Sequence, residues 1–130
     1  MKKLLTHCLL GALWLATASC AKDQAAATPQ ACNPSAKTVK TVLNAAGIVS
    51  FNQALQHYVV SVPQPDTLDK VDLGIVCGNL PAALQLNGAR VVVTGTFKEY
   101  GRVPPSPTPA GHTYYYLEVA QVASNYVPLK

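Results

Sequence analysis

Two stretches of strict alternation constrain this chain more than any other feature. In Val91-Val92-Val93-Thr94-Gly95-Thr96-Phe97, Val91, Val93 and Phe97 share one side with Gly95 while Val92, Thr94 and Thr96 share the other, which is the period-two pattern of a strand with one buried face. The segment from Thr113 to about Ala123 repeats it, with Tyr115, Leu117 and Val119 facing one way and Tyr114, Tyr116 and Glu118 the other. Both are longer than an average strand, and the fold class they imply is mainly β. The stretch between them, Arg102 to Gly111, holds four prolines. These cannot donate ladder hydrogen bonds and stiffen a long loop. Such a loop is either a hairpin excursion, the expected role, or a recognition ligand in its own right.

Upstream, Gly47 to Phe51 and His57 to Val62 are rich in β-branched and aromatic residues and flank the polar Asn52 to Gln56, the composition of a hairpin. Pro63 and Pro65 end its second arm, and Leu73-Gly74-Ile75-Val76-Cys77 forms a short apolar third strand. Asn79 to Gly88 reads as a short helix, with Asn79 as cap, Pro81 in the first turn, Leu80, Ala83 and Leu84 at helical spacing, and Gly88 as stop. Pro34 to Ala46 supports two readings. Val39, Val42, Leu43 and Ala46 fit one helical face, while Thr38, Val39, Thr41 and Val42 favour a strand; an extended lead-in to the first strand is expected.

Strand, strand, strand, short helix, strand, strand is the order of the OB-fold, a five-stranded Greek-key barrel with its helix between strands 3 and 4. Residues 46–124 carry this pattern, and Gly74 and Gly95 suit the bends of a small closed barrel. A small β-sandwich or meander of the same strands is the competing arrangement.

The start of the chain has a different logic. Lys2 and Lys3 precede an apolar run from Leu4 to Ala18 that ends in small residues before Cys20, the form of an export signal. At fifteen residues the run is shorter than the roughly 20 that a membrane-spanning helix needs. Thr17-Ala18-Ser19-Cys20 resembles the lipobox of bacterial lipoproteins, although Thr17 replaces the usual Leu, and cleavage after Ala18 by an ordinary signal peptidase is the alternative. The expected organisation is a lipoprotein signal at 1–19, a tether at 20–33 poor in large apolar groups, and one domain at 34–130. Cys20 then carries the lipid. Ala21 lacks the Asp that retains enteric lipoproteins at the inner membrane, so the cell envelope, with the outer membrane preferred, is the expected location.

Of the four cysteines, Cys8 leaves with the signal and Cys20 takes the lipid. Cys32 and Cys77 remain, and in an oxidising compartment a disulfide between them is the economical assignment. A metal site built from these cysteines with His57 and His112 lacks any short ligand spacing.

Loss of Lys2 and Lys3 reduces ten basic residues to eight, against six acidic ones, a net charge of +2. That is too weak and too scattered for a nucleic-acid surface. His57 and His112 lie near no nucleophile motif. Asp66, Asp69 and Asp72 recur every third residue and are the only cluster suited to a hard cation. Their spacing is not that of an EF-hand, and a solvated, turn-forming role is expected. No cofactor or metal is called for. The most suggestive cluster is aromatic. Tyr114 and Tyr116 share a face, with Tyr100 near the other end of the hairpin, and they either form a binding platform or cover apolar surface and show only their hydroxyls.

Val71-Asp72-Leu73-Gly74-Ile75-Val76-Cys77, Leu80-Pro81, Asn87-Gly88-Ala89-Arg90-Val91 and Tyr114-Tyr115-Tyr116-Leu117-Glu118 together resemble small envelope lipoproteins of Bacteroidetes-type bacteria, which have no assigned activity. The resemblance implies the anchor and the fold and carries over no catalytic residue. The functional expectation is a lipid-anchored, non-enzymatic envelope module binding a protein or glycan, with Tyr100, Tyr114 and Tyr116 as its face. The alternatives are a small metal-dependent hydrolase using the Asp66–Asp72 cluster and, by fold analogy alone, an OB-fold nucleic-acid binder.

Overall fold

The computed structural model describes residues 32–33 and 35–126. The expectations for the signal at 1–19, the lipid on Cys20 and most of the tether lie outside the described residues. Five strands follow in chain order: β1 (Thr38–Asn52), β2 (His57–Pro63), β3 (Val71–Cys77), β4 (Arg90–Glu99) and β5 (His112–Ser124). They form a closed barrel in the order β1-β2-β3-β5-β4, with β4 returning to β1. All neighbours are antiparallel except β3 and β5, which run parallel from Val71 opposite His112 to Cys77 opposite Glu118. This is the five-stranded OB-like Greek-key barrel, and closure leaves no sandwich edge to cover.

The alternation read from β4 and β5 sets the interior. Val91, Val93 and Phe97 on β4 and Leu117 on β5 are fully buried and meet Val49, Val60 and Val76 in one core. Phe97 and Leu117 fill the centre so tightly that a Cβ on Gly74 of β3 would approach both within 3 Å. Gly95 sits where the β4–β5 register shifts, and a Cβ there would lie 2.4 Å from the Glu118 carbonyl oxygen, so only glycine fits this bulge. β3 is buried on both faces. Val76 points into the barrel, while Leu73 and Ile75 join Val59, Tyr114, Tyr116 and Cys32 in a second cluster, which explains why its sequence is a continuous apolar run.

β1 is a single strand of fifteen residues, so Thr38–Ala46 of the ambiguous segment is strand, while Ser35 and Ala36 before it form a turn closed by the Ala36 N–H on the Asn33 carbonyl. The first half of β1 pairs with β4 and its second with β2. The break between Val42 and Ala45 holds Asn44 at φ 48°, with its N–H donated to the Thr94 hydroxyl. The helix expected over Asn79–Gly88 contracts to one 3-10 turn, Ala82–Leu84, preceded by Pro81 with no side-chain cap. A nucleus of this length gains little from helical bonds, and the segment bonds to the barrel instead. Asn87 accepts from the Phe51 N–H at 2.6 Å, Gly88 donates to the Val49 carbonyl, and the Tyr58 hydroxyl donates to the Gln85 carbonyl. Leu80 and Leu84 keep their apolar role by closing one end of the core.

Asp72 departs from the solvated role expected of it. It is 1% exposed on β3, where its carboxylate accepts from Lys40 Nζ and, at 2.8 Å, from Gln64 Nε2. The Lys40 ammonium also stands 5.6 Å from the Phe97 ring centroid and 5.7 Å from that of Tyr115. A buried carboxylate is tolerated only when charge and hydrogen bonds compensate its lost hydration, and here both are supplied by β1 and the β2–β3 loop.

Candidate functional site

The outer surface of β3 and β5 is where the sequence-derived residues converge. Parallel pairing sets Leu73 opposite Tyr114 and Ile75 opposite Tyr116, so the two tyrosines extend the apolar strip of β3. Tyr100, the first residue after β4, packs across them, its ring centroid 5.3 Å from Tyr116 at 63° and 6.1 Å from Tyr114 at 40°. These are edge and tilted contacts that fix ring position. Tyr114 and Tyr116 are each 9% exposed, so they do not form an open platform. They serve as the base on which the half-exposed Tyr100 stands. Asn52 reaches over from the end of β1 to donate to the Tyr114 hydroxyl at 3.2 Å.

Cys32 pairs with Cys77 across a sequence separation of 45, their Cα atoms 5.3 Å apart. The bond holds the segment before β1 against the same outer cluster. As a result Asn33, Ser35 and Lys37 become one wall of a groove of about 320 Å³ whose other wall is Tyr100, Gly101 and Arg102. The ridge of Tyr100, Gly101 and Arg102 also lines a second groove of about 340 Å³, bounded further by Glu99, Pro104, His112 and Thr113. A smaller hollow of about 100 Å³ opens between the ridge and Leu55, His57 and Ile75. Tyr100 and Arg102 line all three.

Sequence reasoning named the three tyrosines but did not place Arg102, Lys37 or Glu99 beside them. Arg102 sits in a loop without periodicity, and only its position two residues after Tyr100 hints at a role. Lys37 belongs to the site through the disulfide, a long-range fact with no local pattern. Among the described residues the ion pairs are Lys40–Asp72 and Lys98–Glu118, so Lys37 and Arg102 keep unpaired charges at the grooves. No protein-family model matches the chain, and no curated protein matches it.

The Asp66, Asp69 and Asp72 cluster of the alternative hydrolase reading does not come together. Among the described residues no three His, Cys, Asp or Glu side chains gather as a cation site, since Asp72 turns into the barrel while Asp66 and Asp69 lie exposed in the loop before it. His57 begins β2 with Nδ1 2.6 Å from the Leu55 carbonyl oxygen. His112 begins β5 and lines the second groove. A further pocket of about 470 Å³ lies between Lys40–Ala45 and the end of β2; Lys40 and Gln64 in its lining already bond Asp72, leaving little to orient a ligand.

Burial is the main cause that raises the Tyr100 phenol above its usual 10.0; Tyr116 and Tyr114 add to it and the Arg102 guanidinium opposes them. The folded barrel thus holds this proton more tightly than the unfolded chain does. The resulting stabilisation is complete below pH 10 and is lost as pH rises through the raised value. Urea unfolding between pH 9 and 11.5 is expected to show a steeper alkaline loss for the wild type than for Tyr100→Phe; equal slopes would refute it.

Proposed function

We propose that this chain is a lipid-anchored envelope protein whose barrel is a non-enzymatic binding module, taking up a protein or glycan partner on the Tyr100–Arg102 ridge. The observation that carries the reading is the convergence of a packed tyrosine, an arginine with no acidic partner among the described residues and three adjoining hollows on one face. A rigid aromatic supplies contact area at low entropic cost, and an unpaired guanidinium supplies directed hydrogen bonds. The two parts that OB-folds use for ligands, the outer faces of strands 2 and 3 and the loops β1–β2 and β4–β5, meet at this ridge, since Leu55 and Tyr100 belong to those loops. The anchor rests on the lipobox-like Thr17-Ala18-Ser19-Cys20.

The test has two arms. Intact-mass measurement of the native protein is expected to show a chain beginning at acylated Cys20; an unmodified chain beginning at Ser19 would remove the anchor. Capture of envelope proteins and a glycan array, run with wild type and Tyr100→Ala, are expected to yield a ligand that the variant loses. Retention of every ligand by the variant, or substrate turnover without any stable ligand, would overturn the module.

A further inference from the structure

We infer that the ridge binds a glycan chain bearing carboxylates, with a sugar ring against Tyr100 and an acid group on Arg102; this rests on the binding-module reading and names its ligand class. The shared lining of the hollows suits an extended ligand. The grooves of about 320 and 340 Å³ share Tyr100, Gly101 and Arg102 as lining, each at the small end of the 300–1,000 Å³ typical of ligand clefts. A chain laid over Tyr100 and Arg102 reaches both grooves, since these residues line each of them.

The chemistry of the walls selects the chain. Tyr100 is held by Tyr114 and Tyr116, so an apolar ring face is presented without further ordering, which suits the C–H face of a sugar. Around it stand short hydroxyl and amide groups, Asn33 and Ser35 in one groove and Thr113 in the other, the partners that sugar hydroxyls need. Glu99 is exposed and borders both grooves as a further acceptor for hydroxyls. Charge then discriminates among glycans. Arg102 is shared by all three hollows and Lys37 lies on the first groove, and neither has an acidic partner among the described residues. An arginine fork binds a carboxylate through two parallel hydrogen bonds. Two cations are too few for a nucleic-acid strand, whose backbone requires one contact per phosphate along a stripe.

The experiment is titration calorimetry of the full chain in detergent, with oligogalacturonate and its methyl ester as probes, which share their sugars and length and differ in charge. The acidic oligomer is expected to bind at least about tenfold more tightly than the ester at low salt, the scale of one charge-assisted bond. Arg102→Gln is expected to abolish that preference while weak binding of the ester persists. Tyr100→Ala is expected to weaken both probes by a similar factor. Arg102 is exposed in a loop, so its replacement leaves the fold intact. Equal affinity for the two probes, or an acid preference that survives Arg102→Gln, overturns the acidic ligand and leaves the module standing. Failure of both probes overturns the inference, and the array and capture experiment then decides separately whether the module itself fails.

Discussion

Cys32→Ser is expected to destabilise the domain by about 4 kcal/mol, the loop-closure entropy of a 45-residue separation in the chain-entropy model. A small domain has only about 5–15 kcal/mol in total, so the variant should melt roughly 20 °C lower. Cys77→Ser is expected to cost the same, and the double variant no more than either single one, because both remove one bond. A loss below about 1 kcal/mol would show that the bond contributes little to the fold. The effect reaches the site as well. Freed from Cys77, the segment carrying Asn33, Ser35 and Lys37 no longer forms a fixed wall of the first groove, and ligand affinity should fall even at temperatures where the barrel remains folded.

Lys40→Met is expected to cost about 3 kcal/mol, somewhat below what breaking a fully buried pair costs, because the Lys40 side chain keeps 34% exposure. Its removal leaves the Asp72 carboxylate, 2% exposed as a side chain, with Gln64 as its remaining hydrogen-bond donor. Asp72→Asn should be milder, since the stranded lysine can turn to water while a neutral amide still bonds Gln64. The decisive measurement is the double variant Lys40→Met/Asp72→Leu, followed by urea denaturation. It is expected to recover most of the lost stability, as apolar replacements of buried ion pairs do. A double variant as unstable as Lys40→Met alone would show that the carboxylate is not the source of the loss.

The strands were legible because each repeats a local rule over many residues. Val91, Val93 and Phe97 alternate because they line the barrel, and Leu73 to Val76 are continuously apolar because β3 is covered on both sides. The Asn79–Gly88 segment misleads because its apolar spacing serves barrel closure. Leu80 and Leu84 reach the core from an irregular segment, and the Gln85, Asn87 and Gly88 backbone or side-chain groups bond to neighbouring strands. Asp72 resembles its loop neighbours Asp66 and Asp69 in sequence; only the position of Lys40, 32 residues earlier on β1, separates it from them. The three tyrosines were visible as a face, but which of them stays open was not. That depends on Tyr100 crossing from β4 to lie on the other two, and on a disulfide that brings the start of the domain alongside.

That disulfide also sets a leash. Eleven residues separate Cys20 from Cys32, and a fully extended chain gains at most about 3.5 Å per residue, so a lipid on Cys20 would keep the bonded end of β3 within roughly 40 Å of the bilayer. Because Cys32 is tied beside the ridge rather than at the far end of the barrel, the proposed binding face itself would stay within that reach. A domain held in this way would sample the zone just above its own membrane and meet ligands rooted there, at a local concentration set by tether length. Lengthening the segment 21–31 should widen that zone without altering the affinity of the face.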